Sequence, residues 1–205
     1  MNSSIAEPKI ATGTPSPAPG VGVVLLAVSL YAWSYVLPVW ESHIVAPQYP
    51  NGLSVRVYLD RVEGDTMEVN ILNHYVGMCH VEDMATLERS LSLFMLIFVG
   101  SAALFALTLD RLGWRTLLAL PLVLFPVGMI CDLLGWLYYS GHALDPTSAL
   151  SMTVKPFMPK LVGYQKVANF HVWSSLGWGT WLQVAASALV ARSLLKGWAA
   201  RRRTS

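Results

Sequence analysis

Four long apolar runs constrain this chain more than anything else in it. They cover residues 21–40 (VGVVLLAVSLYAWSYVLPVW), 91–109 (LSLFMLIFVGSAALFALTL), 116–139 (TLLALPLVLFPVGMICDLLGWLYY) and 174–195 (SSLGWGTWLQVAASALVARSLL). Crossing a bilayer as a helix takes about 20 predominantly apolar residues. Each run meets that length, so the expected fold is mainly α and polytopic, with four transmembrane helices. Composition agrees: 13% of the 205 residues are charged, against about 25% in ordinary soluble domains. The first run is not read as a cleaved leader, because it continues into LPVWESH with no small-residue cleavage pattern behind it.

Lysine and arginine set the expected orientation. Residues 1–20, the 110–115 turn and the C-terminal end carry eight basic and two acidic residues. Loops 41–90 and 140–173 carry six basic and nine acidic residues. The basic side is therefore expected in the cytoplasm and the two loops in the periplasm of a bacterial inner membrane. The expected organisation is a disordered tail (1–20), a membrane domain (21–195) and a basic tail (196–205). The formal charge of +2 gives no argument for nucleic acid as a partner. The two cysteines, Cys79 and Cys131, make no disulfide framework.

The outer loops carry the candidate chemistry. LSVRVYLD (53–60) and MEVNILN (67–73) both alternate in polarity and flank a turn-forming EGD, so a small β-hairpin is expected as a cap on the outer face. VEDMATLERS reads as a short helix leading into the second span, and the proline-bearing 140–173 loop as an extended cover. All five histidines, together with Cys79, lie in these loops or at their membrane edge. Imidazole, thioether and thiolate together suit copper, especially Cu(I). His74 and Met78 stand four apart and would share a helical face; His142 follows the third span and is the next candidate. Cys79, His80 and His171 are weaker metal candidates. Asp132 is an ionisable group within a predicted span, where such groups usually face the interior and carry function. With Trp136 one turn on, and with Tyr75 and Asp145, it is expected to support or gate a metal site rather than to ligate. No nucleotide-binding loop, catalytic-triad pattern, HExxH or haem-attachment motif is present, so no enzymatic activity is expected of the chain itself.

Several strings together look like one family: APQYP (46–50), EGDTMEVNILNHYVGM (63–78), GHALDP (141–146) and VKPFMP…KVANFHVWSSLGWGTW (154–181). They resemble small integral membrane proteins encoded in nitrous-oxide-reductase gene clusters. Matched to that pattern are His74, Tyr75, Gly77 and Met78, then Asp132, Trp136, Gly141, His142, Leu144, Asp145 and Pro146. The resemblance implies a four-helix membrane protein working beside a periplasmic copper enzyme. It supplies no activity. Three functions follow as expectations. The first is an accessory protein that binds or hands over copper through His74, Met78 and His142. The second is a docking or stabilising subunit with no metal of its own. The third is a quinone-linked redox subunit with Asp132 as proton acceptor.

Overall fold

The computed structural model describes residues 20–150 and 152–204. The expected N-terminal tail, Gly20 apart, lies outside the described residues. The chain builds two layers: a helical layer and a sheet-and-helix cap.

In the helical layer, α1 (Val21–Ser34) packs against α3 (Thr86–Phe105) and α5 (Trp178–Thr204), and α4 (Leu112–His142) packs against α3 and α5. A short 3-10 turn, Ala106–Thr108, extends α3. Val24, Ala27 and Tyr31 of α1 meet Val99 and Ala103 of α3, Ala119 and Leu122 of α4, and Ala186, Val190 and Leu194 of α5 in one buried cluster. Alanines at the crossings let the helices approach closely. Two prolines, Pro121 and Pro126, lie inside α4. Pro126 has no N–H for the carbonyl of Leu122, four residues earlier. The hydroxyl of Ser187 on α5 donates to that carbonyl instead, at 2.9 Å.

The four-span expectation is overturned. Among the described residues, two helices are long and apolar enough to cross a membrane, Thr86–Thr108 and Leu112–His142. Helix α1 has 14 residues, about 21 Å at 1.5 Å per residue, short of a hydrocarbon core of about 30 Å. Its run was expected to continue to residue 40, but Pro38 interrupts it. The chain extends there, and Trp40 opens a strand. Helix α5 is 27 residues long but carries Gln183, Arg192, Lys196 and Arg201–Arg203. Residues 174–176, expected to be helical, belong to a strand.

The cap is larger than the hairpin expected. Its sheet has five antiparallel strands: β1 (Trp40–Ala46), β2 (Tyr49–Val57), β3 (Val62–Gly64), β4 (Gly163–Val167) and β5 (Phe170–Leu176). The order across the sheet is β3-β2-β1-β5-β4. Strand β1 thus joins the two outer loops, with Ser42 opposite Ser174. The hairpin of β1 and β2 turns at Pro47 and Gln48. That of β4 and β5 turns at Ala168, whose φ is +50°.

MEVNILN is not a strand. It forms α2 (Thr66–Val76), with Val69, Leu72, Asn73 and Val76 buried. That spacing of three, four and seven is a helical stripe, and it wins over the alternation of Met67, Val69 and Ile71. Met67 and Ile71 are exposed. The stripe packs with Leu53, Val55, Ala46 and Phe170 from the inner face of the sheet to form the second core. Asp65, just before α2, pairs reciprocally with Ser54 on β2. Its N–H donates to the Ser54 carbonyl at 2.9 Å, and its carboxylate accepts the Ser54 N–H at 2.8 Å.

Candidate functional site

The two loop motifs close on one another. Helix α2 ends because Gly77 adopts φ +90°, a left-handed conformation that costs glycine little. The turn brings the backbone of 75–77 against 145–150. The N–H of Asp145 donates to the Gly77 carbonyl at 2.8 Å, and that of Leu150 to the Tyr75 carbonyl at 2.9 Å. A Cβ on Gly77 would lie 2.8 Å from the Ser148 hydroxyl and 2.9 Å from both the N and the O of Asp145. Gly141 makes a second close approach. Its carbonyl accepts the N–H of Phe157 at 3.0 Å, and a Cβ there would meet the Phe157 carbonyl at 1.9 Å. NHYVGM and GHALDP are therefore fastened through backbone at Gly77, and Gly141 fastens GHALDP in turn to the segment at Phe157.

Asp145 tightens the join. Its Oδ1 accepts the hydroxyl of Thr147 at 2.7 Å and the Thr147 N–H at 2.8 Å. Those two hydrogen bonds, the hydroxyl first, hold the Asp145 carboxyl below the usual carboxylate range, and nearby His74 adds to the effect. Asp145 before Pro146 is thus a turn-former that shares its electrostatics with His74.

The three expected copper ligands lie in three different settings. His74 is exposed in the last turn of α2. Met78 shared a face with it only on the assumption of a continuing helix. Gly77 ends the helix and turns Met78 inward, where it packs on the cap core. His142 ends α4 with its ring stacked on Tyr138, centroids 3.9 Å apart. Its Nδ1 lies 2.9 Å from the Tyr138 carbonyl. A carbonyl only accepts, so Nδ1 carries a proton. One donor is exposed in the last turn of α2, one packs on the cap core, and one is stacked at the end of α4, and no hydrogen bond or ring contact joins the three among the described residues. No group of three or more His, Cys, Asp or Glu side chains arranged for a metal occurs among the described residues.

The weaker candidates scatter further. Cys79 is half-buried, and burial pushes its thiol above the ordinary range; its carbonyl accepts the side-chain amide of Asn73 at 3.1 Å. His80 is exposed. His171, placed by the sequence at the membrane edge of the second outer loop, lies in β5. Its Nδ1 is 2.7 Å from the Tyr164 hydroxyl, and it stacks in a row with Tyr164 and Trp173 on the outer sheet face. The exposed rim therefore holds His74, Tyr75, His142 and Asp145.

Met78, Asp132 and Trp136 belong to a different place, a chamber of about 540 Å³ between the inner sheet face, α2 and the cap-side turns of α3 and α4. Its walls are mostly apolar, with Trp40, Val55, Leu72, Met95 and Phe125 among them. Glu88 and Arg89 also line it. Sequence reading assigned neither a role. The available signal was the i, i+4 pair of Glu88 and Ser92 in the first turns of α3, which line the chamber together with Asp132.

No family model matches the chain, and no curated protein matches it. The resemblance to proteins of nitrous-oxide-reductase clusters therefore rests on the quoted motifs.

Proposed function

We propose that the protein is a membrane-anchored, non-catalytic subunit whose rigid cap docks a periplasmic partner. The copper enzyme to which the motifs point is the intended partner. One observation carries this reading: the residues of NHYVGM and GHALDP build a backbone-fastened join and leave His74, Tyr75 and His142 on its exposed rim, in place of a converged ligand set. A motif devoted to holding two loops in one shape serves a surface better than a metal. Anchorage is supported by α3 and α4, which carry Leu93, Phe94, Ile97, Phe98, Leu117, Leu124 and Val127 on their exposed sides. Contiguous exposed apolar surface of this extent marks a membrane or partner contact. The loops then face the periplasm, in keeping with the basic residues at the opposite end.

The test has two readouts. After carbonate washing, the tagged protein is expected in the membrane pellet. From those membranes it is expected to co-purify with a copper enzyme, and Tyr75→Ala with His74→Ala should release that enzyme without lowering the yield of tagged chain. The docking reading fails if the isolated chain binds one Cu(I) tightly and His74→Ala or His142→Ala removes it. That result would restore copper hand-over as the function.

A further inference from the structure

We propose that the chamber beneath the cap is a binding site for a membrane-dissolved amphiphile, one with an apolar body and a neutral head group that donates hydrogen bonds. A hydroquinone carrying an alkyl chain has this chemistry. The inference rests on the reading of α3 and α4 as bilayer-embedded, and on nothing in the docking proposal.

Size and lining come first. About 540 Å³ falls within the usual range of small-molecule sites, roughly 300–1,000 Å³. The inner sheet face contributes Ile44, Val57 and Val172, and the helices contribute Leu91, Met95, Phe125 and Leu133. An apolar chamber of this kind holds water poorly.

The mouth comes next. Leu87, Leu91 and Met95 line the chamber, yet they are 66%, 46% and 45% exposed. They form one i, i+4, i+8 stripe on α3. Across from them on α4, Gly128 and Asp132 line the chamber and are also exposed. The chamber therefore opens sideways, between the two helices that would lie in lipid. A ligand dissolved in the bilayer reaches it without crossing water.

The head group follows from the charges at that mouth. Glu88 on α3 and Asp132 on α4 both line the chamber. Neither forms an ion pair among the described residues, where Arg61 makes the salt bridges found. Arg89 also lines the chamber, but its guanidinium donates to the carbonyls of Glu82 and Ala85. Two acceptor-rich carboxylates beside one committed cation leave an excess of acceptors and of negative charge. Such a mouth repels an anionic head and takes a hydroxyl that donates.

The test uses the full chain in phosphatidylcholine nanodiscs, titrated with decylhydroquinone, dodecanol and dodecanoate. Binding is read as the change in tryptophan fluorescence, since Trp40 and Trp136 line the chamber. Decylhydroquinone should bind saturably and much more tightly than dodecanoate. Comparable binding of dodecanol would make any neutral donor head sufficient, and weaker binding would select the aromatic diol; both support the proposal. A Cβ on Gly128 meets nothing within 4 Å, so Gly128→Leu should fold normally while filling the mouth. It should weaken decylhydroquinone at least about tenfold. Asp132→Asn, which keeps shape and removes charge, should weaken it by about tenfold, the scale of one charge-assisted hydrogen bond. The proposal is overturned by non-saturable binding, by equal affinity for dodecanoate, or by wild-type affinity in Gly128→Leu. Carbonate extraction of the same variants shows separately whether the chain is anchored.

Discussion

The helical layer and the cap solve opposite problems. In the cap, apolar residues point inward: Val69, Leu72, Val76, Leu53 and Val55 are buried, and polar residues such as Glu41, Arg56 and Glu63 lie on other faces. In the helical layer much of the apolar surface points outward, and the interior holds polar groups. Ser34, Thr180 and Gln183 are fully buried there. The hydroxyl of Thr180 donates to the carbonyl of Val39 at 2.7 Å, and the Gln183 amide to Ser34 Oγ at 3.3 Å. Water drives the first arrangement through the hydrophobic effect. In the proposed membrane setting it gives less driving force for the second, where close packing of the apolar cluster and cross-helix hydrogen bonds supply the cohesion. The contrast teaches that the two layers respond to different changes: the cap to backbone shape, the helices to single buried polar atoms.

The largest effect should come from the cap's glycines. Gly141→Ala puts a methyl into the Phe157 carbonyl, and Gly77→Ala adds overlap with Asp145 to a positive φ. Left-handed backbone costs alanine about 1–2 kcal/mol, and overpacking typically adds about 1–3 kcal/mol. Both variants should become protease-sensitive at residues 143–162 and lose several degrees of thermal midpoint. Gly128→Ala, with open space around it, should match wild type or exceed it. If all three behave alike, the join is not what holds the cap.

Next in size is Ser187→Ala in the helical layer. It leaves the carbonyl of fully buried Leu122 without the hydroxyl that replaces the missing proline N–H. An unsatisfied buried acceptor costs about 1–3 kcal/mol. Thermal unfolding in detergent should show that loss with the cap's protease resistance intact. Ser187→Thr, which retains the hydroxyl, should recover most of it.

A smaller, pH-dependent effect separates the layers again. The Asp145 carboxyl is depressed by the Thr147 hydroxyl and N–H, with His74 adding to it. A depressed carboxyl contributes stability above its unfolded value, about 3.9, and the contribution disappears as pH falls through the lower folded value. The cap should therefore loosen on acidification below about pH 4, seen as faster hydrogen exchange at the amides of Asp145 and Leu150. Asp145→Asn should flatten that profile and leave exchange in α3 and α4 unchanged.

What was legible in the sequence follows the same division. The second and third apolar runs, 91–109 and 116–139, fall on the two long apolar helices to within one residue, because their signal is local and continuous. The ends of the other two runs were decided by features that hydropathy averages away. Pro38 stops α1, and residues 174–176 pair with β1 across about 130 positions of chain. Helix α2 was mistaken for a strand because Met67, Val69 and Ile71 alternate, although Val69, Leu72 and Val76 already carried the helical stripe and Gly77 its stop. That the two loop motifs meet was not legible in the sequence, because the join is a contact between backbones, which no side-chain pattern encodes. For the same reason His74, Met78 and His142 looked like one ligand set: their chemistry is written in the sequence, and their settings follow from where α2 and α4 end, with Gly77 redirecting Met78.

The smallest expected effect tests whether buried polarity in the helical layer is always stabilising. Tyr31 is 1% exposed, and its ring packs edge-on against Phe125 at 5.1 Å. Its hydroxyl has no hydrogen-bond partner among the described residues. The Ser187 hydroxyl replaces a lost backbone donor, whereas the Tyr31 hydroxyl satisfies no group among the described residues. Tyr31→Phe keeps the ring and its contact and removes an oxygen whose burial is uncompensated, so thermal unfolding should show no loss and up to about 1 kcal/mol of gain. A loss as large as that of Ser187→Ala would mean that the Tyr31 hydroxyl is bonded after all, with the Gln183 Oε1, also buried and unpartnered, as the acceptor to examine by pairing Tyr31→Phe with Gln183→Leu in a double-mutant cycle.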